Sequence, residues 1–142
     1  MIIQCIVNSF RSQMLQAQHN LLTDTLKIAL YTGNANLGPT TTAYTTDGEA
    51  SGTGYVAGGI VLTGTTIDTA TETTTTPAVV YVNFNNAVFS AAVTARGALI
   101  YNFSKSNKAI AVIDFGADKT SATTFTVVMP ANTSTTALLR FP

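Results

Sequence analysis

Ala95-Arg96-Gly97-Ala98-Leu99-Ile100-Tyr101-Asn102-Phe103-Ser104-Lys105-Ser106-Asn107-Lys108-Ala109-Ile110-Ala111-Val112-Ile113-Asp114-Phe115 is the most sharply punctuated stretch of the chain. Two apolar segments, Ala98 to Tyr101 and Ala109 to Phe115, flank a polar turn from Asn102 to Lys108, whose Ser, Asn and Lys residues favour bends and water over a packed core. The pattern predicts a β-hairpin. Both arms are nearly continuous in apolar residues, as expected of strands covered on both faces, which places the hairpin in the middle of the fold.

Working outward, strand patterns recur at Ala78 to Phe84, Ala87 to Val93, Thr123 to Met129 and Ala137 to Phe141, with Asn83, Asn85, Asn86, Gly116, Pro130, Asn132 and Ser134 as punctuation. Upstream, Leu26 to Tyr31 alternates Leu26, Ile28 and Leu30 with Lys27, Ala29 and Tyr31, the period of a strand with one buried face. Thr40 to Thr46 reads as a weak edge strand, and Tyr55-Val56 and Ile60-Val61-Leu62 as short strand pieces. The expectation is an all-β fold of about eight short strands in a two-sheet sandwich, jelly-roll-like, as one domain over residues 1–142. One short N-terminal helix is predicted over 9–21: Asn8 or Ser9 caps it, and Phe10, Met14, Ala17 and Leu21 fall on one face. Residues 63–77 are Thr-rich and read as an exposed loop, and residues 1–8 as an apolar arm or, equally, the first strand.

Composition narrows the partners. The 142 residues carry seven Lys and Arg against seven Asp and Glu, a net charge of zero. The basic residues are scattered from Arg11 to Arg140, whereas a nucleic-acid surface needs them clustered, so no nucleic-acid partner is expected. A threonine-covered surface of low charge suits a protein docked on others, and equally an ordinary β-surface. Cys5 is alone and forms no internal disulfide. Met1 to Val7 lacks the basic start and small-residue site of a signal peptide, and no stretch approaches the roughly 18 apolar residues that would span a bilayer, so no membrane partner is expected.

The residues that could carry chemistry are sparse. His19, the one histidine, reads as a residue at the C-terminal end of the helix rather than a metal ligand. Ser51-Gly52-Thr53-Gly54-Tyr55 and Ala57-Gly58-Gly59 lack the flanking strand and helix of a dinucleotide fingerprint and the Lys-Ser/Thr of a P-loop, so their glycines are assigned to turns and bulges. Asp114 and Asp118 straddle Gly116, but neighbouring Lys119 offers ion pairing as a simpler role than catalysis. Asp47, Glu49, Asp68 and Glu72 are too dispersed to read as a calcium site. No catalytic residue, metal or cofactor is expected. Arg96 at the mouth of the hairpin either pairs internally with a carboxylate such as Asp114 or reaches for a partner.

Several blocks carry a resemblance that covers most of the chain: Ser9-Phe10-Arg11-Ser12-Gln13-Met14-Leu15, Thr23 to Tyr31, Ser51 to Tyr55 with Gly58-Gly59, Ala95 to Asn102, Lys105-Ser106-Asn107 and Val112 to Gly116. Together they resemble the capsid cement, or decoration, proteins of tailed bacteriophages, small jelly-roll-like proteins that sit on the capsid and tie neighbouring subunits together. The chain departs from them in its threonine run near Thr71 to Thr76 and its apolar start. The resemblance implies a non-enzymatic virion protein, made in the host cytoplasm, whose partner is the major capsid protein. A homo-oligomer is expected, a dimer ahead of a trimer. The expected contact residues are Ile2, Ile3, Ile6 and Val7 of the arm, with Arg11 and Arg96. The alternatives are a tail or fibre component with receptor- or glycan-binding loops, and a small enzyme or carbohydrate-binding module, which would want exposed aromatics in a chain with no Trp.

Overall fold

A computed structural model describes residues 1–71, 73 and 78–142. In chain order the elements are β1 (Cys5–Ile6), α1 (Asn8–Leu15), β2 (Leu26–Tyr31), β3 (Gly52–Thr53), β4 (Ile60–Val61), β5 (Thr66–Thr69), β6 (Val80–Asn83), β7 (Ala87–Phe89), β8 (Ala92–Asn102), β9 (Lys108–Thr120), β10 (Phe125–Val127) and β11 (Leu139–Phe141). The principal sheet runs β1-β9-β8-β2-β4, with β3 also on β8, and two small antiparallel sheets, β10-β7 and β11-β6-β5, complete an all-β sandwich with a short N-terminal helix. The predicted hairpin is its centre. β8 and β9 pair antiparallel from Thr94 opposite Thr120 to Asn102 opposite Lys108, and Ala98, Leu99 and Ile100 of β8, with Ala109 and Ile110 of β9, are fully buried. The polar turn is a 3-10 turn, Phe103–Lys105, followed by Ser106 and Asn107 in the left-handed region, which short polar side chains tolerate.

Cross-strand partners share a face, so the register of β2 on β8 sorts the core. Ala29, Tyr31, Leu99 and Tyr101 point one way, and Tyr44 of the 32–59 connection stacks on Tyr101 with centroids 4.9 Å apart. Leu26, Ile28, Leu30, Ile100 and Asn102 point the other way, toward His19, whose ring nitrogen lies 3.0 Å from Asn102 Nδ2. Phe10 of α1 lies edge-on to His19 and 6.5 Å from Phe141 of β11, so helix and small sheet cover the same side. Between these layers the half of the hairpin next to the turn, Gly97 to Asn102 with Ala109 to Val112, has solvent on neither face, which accounts for its unbroken apolar runs.

Several expectations need correction. The helix stops at Leu15, not Leu21, because the chain turns at Ala17 (φ 56°), which a continuing helix cannot adopt. Of the four residues expected on its buried face, Phe10 and Leu21 are buried, while Met14 and Ala17 are exposed. Neither Asn8 nor Ser9 caps it; Val7 occupies the cap position with no side-chain bond, and the Asn8 N–H donates to Pro39 O. Thr40 to Thr46 makes only a bridge at Ala43 to Lys108 rather than a strand. Ala87 to Val93 breaks at Ser90-Ala91 into β7 and the start of β8. Tyr55-Val56 is not a strand; Gly52–Thr53 is. Of the Thr-rich loop, Thr66–Thr69 is a strand paired with Val80–Asn83, whereas residues 72 and 74–77 lie outside the described residues. The glycines do serve close backbone packing: at Gly59, φ 75°, a Cβ would collide with Ile28 O, so only glycine lets β4 approach β2.

Candidate functional site

The N-terminal arm is part of the domain's own sheet. Cys5 and Ile6 pair with Val112 and Ala111, Ile3 N–H donates to Leu37 O, and Val7 N–H to Ile110 O. Ile2 and Val7 are therefore core residues, 8 % and 0 % exposed, and are not contacts for a partner while this strand is in place. Ile3 is exposed, Ile6 half-buried and Arg11 on the exposed side of α1. Arg96 takes the internal alternative: its Nε donates to Asp114 Oδ1 at 3.0 Å, and the same oxygen accepts the Gly116 N–H. Asp114 is thus held by Arg96 and not by Lys119. The Arg96 hydrogen bond first, then the Gly116 N–H, keep its carboxyl below the usual carboxylate range.

This pair sits where β9 bulges. From Asp114 to Lys119, β9 advances five residues while β8 advances only two, from Gly97 back to Ala95. Gly116, φ 79°, turns the bulge outward. The bulge carries Phe115 onto Phe125, ring centroids 5.8 Å apart, and opens a groove of about 700 Å³ between β9 and the β10 segment. Ile113, Phe115, Phe125, Val128 and Leu138 are among its walls, and Val128 is 72 % exposed. A second hollow of about 430 Å³ adjoins it between β1 and β11, sharing Gln4, Ile113 and Leu138. The two form one trough along the open side of the sandwich. Among the described residues β10 and β11 each pair on one side only, and β9 beyond Val112 pairs only with β8. The charged side chains lining the trough are Lys119 in one hollow and Arg140 in the other; no Asp or Glu side chain lines either.

A second constellation is polar and internal. Glu49 accepts hydrogen bonds from Tyr44 Oη (2.6 Å), Tyr55 Oη (2.8 Å) and the Gly58 N–H (2.7 Å). Tyr55 Oη also accepts the Leu30 N–H, Tyr31 Oη donates to Thr45 O, and Tyr101 Oη to Gly58 O. Burial, followed by the Glu49 charge, pushes Tyr101 up to about 12, and burial raises Tyr31, Tyr44 and Tyr55 further, so all four hydroxyls stay protonated as donors. The network fastens the 44–58 connection to β2 and β8. Sequence reading missed it, since Glu49 is unremarkable among dispersed acids and the convergence of Tyr44, Tyr55 and the Gly58 N–H on it exists only in three dimensions.

Among the described residues no three His, Cys, Asp or Glu side chains are gathered as a metal site, and no helix is long and apolar enough to cross a membrane. Of the acids considered for calcium, Glu49 is taken by the tyrosines, Asp68 accepts from Asn132 and Glu72 lies outside the described residues. His19 lies in the loop beyond α1 and not in the helix, held by Gln13 and Asn102. Compared with known proteins, the chain matches no family model, no curated protein and no solved structure.

Proposed function

We propose that this protein is a non-enzymatic structural protein of a tailed-phage virion, a cement protein that binds the outside of the major capsid protein shell and bridges neighbouring subunits. The reading starts from the sequence blocks that resemble that family, and the observation that carries it into the structure is the trough. Three strand segments with open outer edges, an apolar lining and Lys119 and Arg140 as its lining charges suit an extended, apolar segment of the capsid protein bearing carboxylates toward its ends. Main-chain pairing supplies affinity, and the two cations fix direction and register. The contact surface therefore moves from the buried Ile2 and Val7 to Val128, Phe115, Lys119 and Arg140, with Ile6 in the second hollow. A dimer would present two such troughs and so join two subunits.

The test is cosedimentation of the purified protein with undecorated mature capsids, followed by thermal challenge of the shells. Saturable binding in proportion to the lattice, with shells that survive hotter challenge, is the expected result. Absence of binding, with the protein found instead in a few copies at the tail, overturns it.

A further inference from the structure

Outside the trough, one cluster has hydrogen bonds whose directions are fully determined. Asn102 at the end of β8 is entirely buried, and its Nδ2 lies 2.7 Å from Asp24 Oδ2 and 3.0 Å from His19 Nδ1. A carboxylate only accepts, so the amide nitrogen must face Asp24, and the Asn102 orientation is fixed. His19 Nδ1 then faces an NH₂ group and must itself accept. The imidazole proton is on Nε2, 2.8 Å from the Gln13 Oε1 that receives it. All three contacts are hydrogen bonds only with His19 neutral; Asn102 Oδ1 is buried with no hydrogen-bond partner among the described residues.

We infer that His19, Asn102 and Asp24 form a proton-controlled latch that fastens the Gln16–Asp24 loop to the end of β8 while His19 is neutral and releases it when His19 is protonated. A proton added at Nδ1 confronts the Asn102 NH₂, donor against donor. Turning the amide over gives Nδ1–H an acceptor but sets Oδ1 against the Asp24 carboxylate, so protonation forfeits either the His19–Asn102 bond or the Asn102–Asp24 bond. The groups around the ring agree in balance. Phe10 and Gln13 of α1 bring no charge; Asp24 favours the imidazolium; Lys105 of the turn and Lys108 of β9 oppose it; and burial opposes it most, so His19 titrates below its ordinary value. Asp24 stays charged: burial raises it, but the Asn20 N–H, the Asn102 amide and Lys105 together hold it below the usual range. Because the latched state depresses the His19 pKa, the contribution is complete above the free value of about 6.5 and is lost as pH falls through the latched value. The latch is independent of the capsid reading.

The experiment is NMR titration of the protein, residues 1–142, from about pH 8 to about pH 5, following the His19 ring nitrogens, the Asn102 side-chain NH₂ and exchange of the Thr23 and Asp24 amides. The expected result is the Nε2–H tautomer at high pH, an Asn102 signal that moves with the His19 midpoint, and that midpoint below about 6.5. Protection of the two amides, corrected for intrinsic exchange, should fall up to about tenfold per pH unit between the free and latched values. The Nδ1–H tautomer, an Asn102 signal unmoved through the titration, or a midpoint at or above the free value overturns the proposal. His19→Gln takes up no proton there, so its amide protection should be flat over the same range; a fall equal to that of the wild type also overturns it.

Discussion

At the scale of single residues, stability turns on acceptors that serve several donors. Glu49 holds two tyrosine hydroxyls and a main-chain N–H, so Glu49→Ala strands three donors and should lower the free energy of unfolding by about 3 kcal/mol, with an unchanged denaturant slope. Tyr44→Phe and Tyr55→Phe each remove one donor and leave the carboxylate its other partners, so each should cost about 1 kcal/mol. If Glu49→Ala cost no more than either tyrosine variant, the carboxylate would not be the hub of the network. Arg96 behaves differently, because its pair with Asp114 is open to solvent on both sides. Asp114 is depressed by Arg96, so the pair contributes above the ordinary Asp value near 3.9 and is lost as pH falls through the folded value. Urea midpoints of wild type and Arg96→Ala should therefore differ slightly at neutral pH and converge in acid.

At the scale of elements, α1 is anchored by one side chain. Phe10 is fully buried against His19 and Phe141, whereas Leu15, one residue from the turn, is 91 % exposed. Phe10→Ala should cost about 3 to 5 kcal/mol and Leu15→Ala less than about 0.5 kcal/mol, read from denaturant midpoints. The same contrast explains what the sequence could and could not reveal. The hairpin, Leu26 to Tyr31 and the positions of most later strands were legible, since a run or alternation of apolar residues between turn residues has one economical solution. The end of α1 was not, because the period Phe10, Met14, Ala17, Leu21 is satisfied equally by a helix and by a helix plus a loop that brings Leu21 back to the core. The five-residue apolar start had two solutions, own strand or free arm, and only the pairing of Cys5 and Ile6 with β9 separates them. Of the expected contact residues, the burial of Ile2 and Val7 follows from that pairing. The trough was invisible because its walls come from β9, β10 and β11, brought together by a bulge that no local pattern announces.

At the scale of the whole molecule, the cement mechanism makes a demand that binding alone does not. A ligand stabilises an assembly only by its preference for the assembled over the dispersed state; equal affinity for shell and free subunit shifts nothing. On the proposed reading, with one trough per protomer, each contact would be an extended segment of modest affinity, and preference for the lattice would arise when two troughs of an oligomer engage two subunits held at the lattice spacing. Affinity for intact shells should then exceed that for free capsid protein by about 100-fold or more, the range that bivalent linkage supplies without new contacts. Val128→Asp places a buried carboxylate against the apolar wall, while its 72 % exposure in the free protein predicts unchanged folding. It should abolish shell binding, and Lys119→Glu should weaken it in a salt-dependent way, with both variants melting as the wild type does. The decisive comparison is titration of wild type against shells and against dispersed subunits in one buffer. Equal affinity for the two would remove the thermodynamic basis of cementing even if Val128→Asp abolished both.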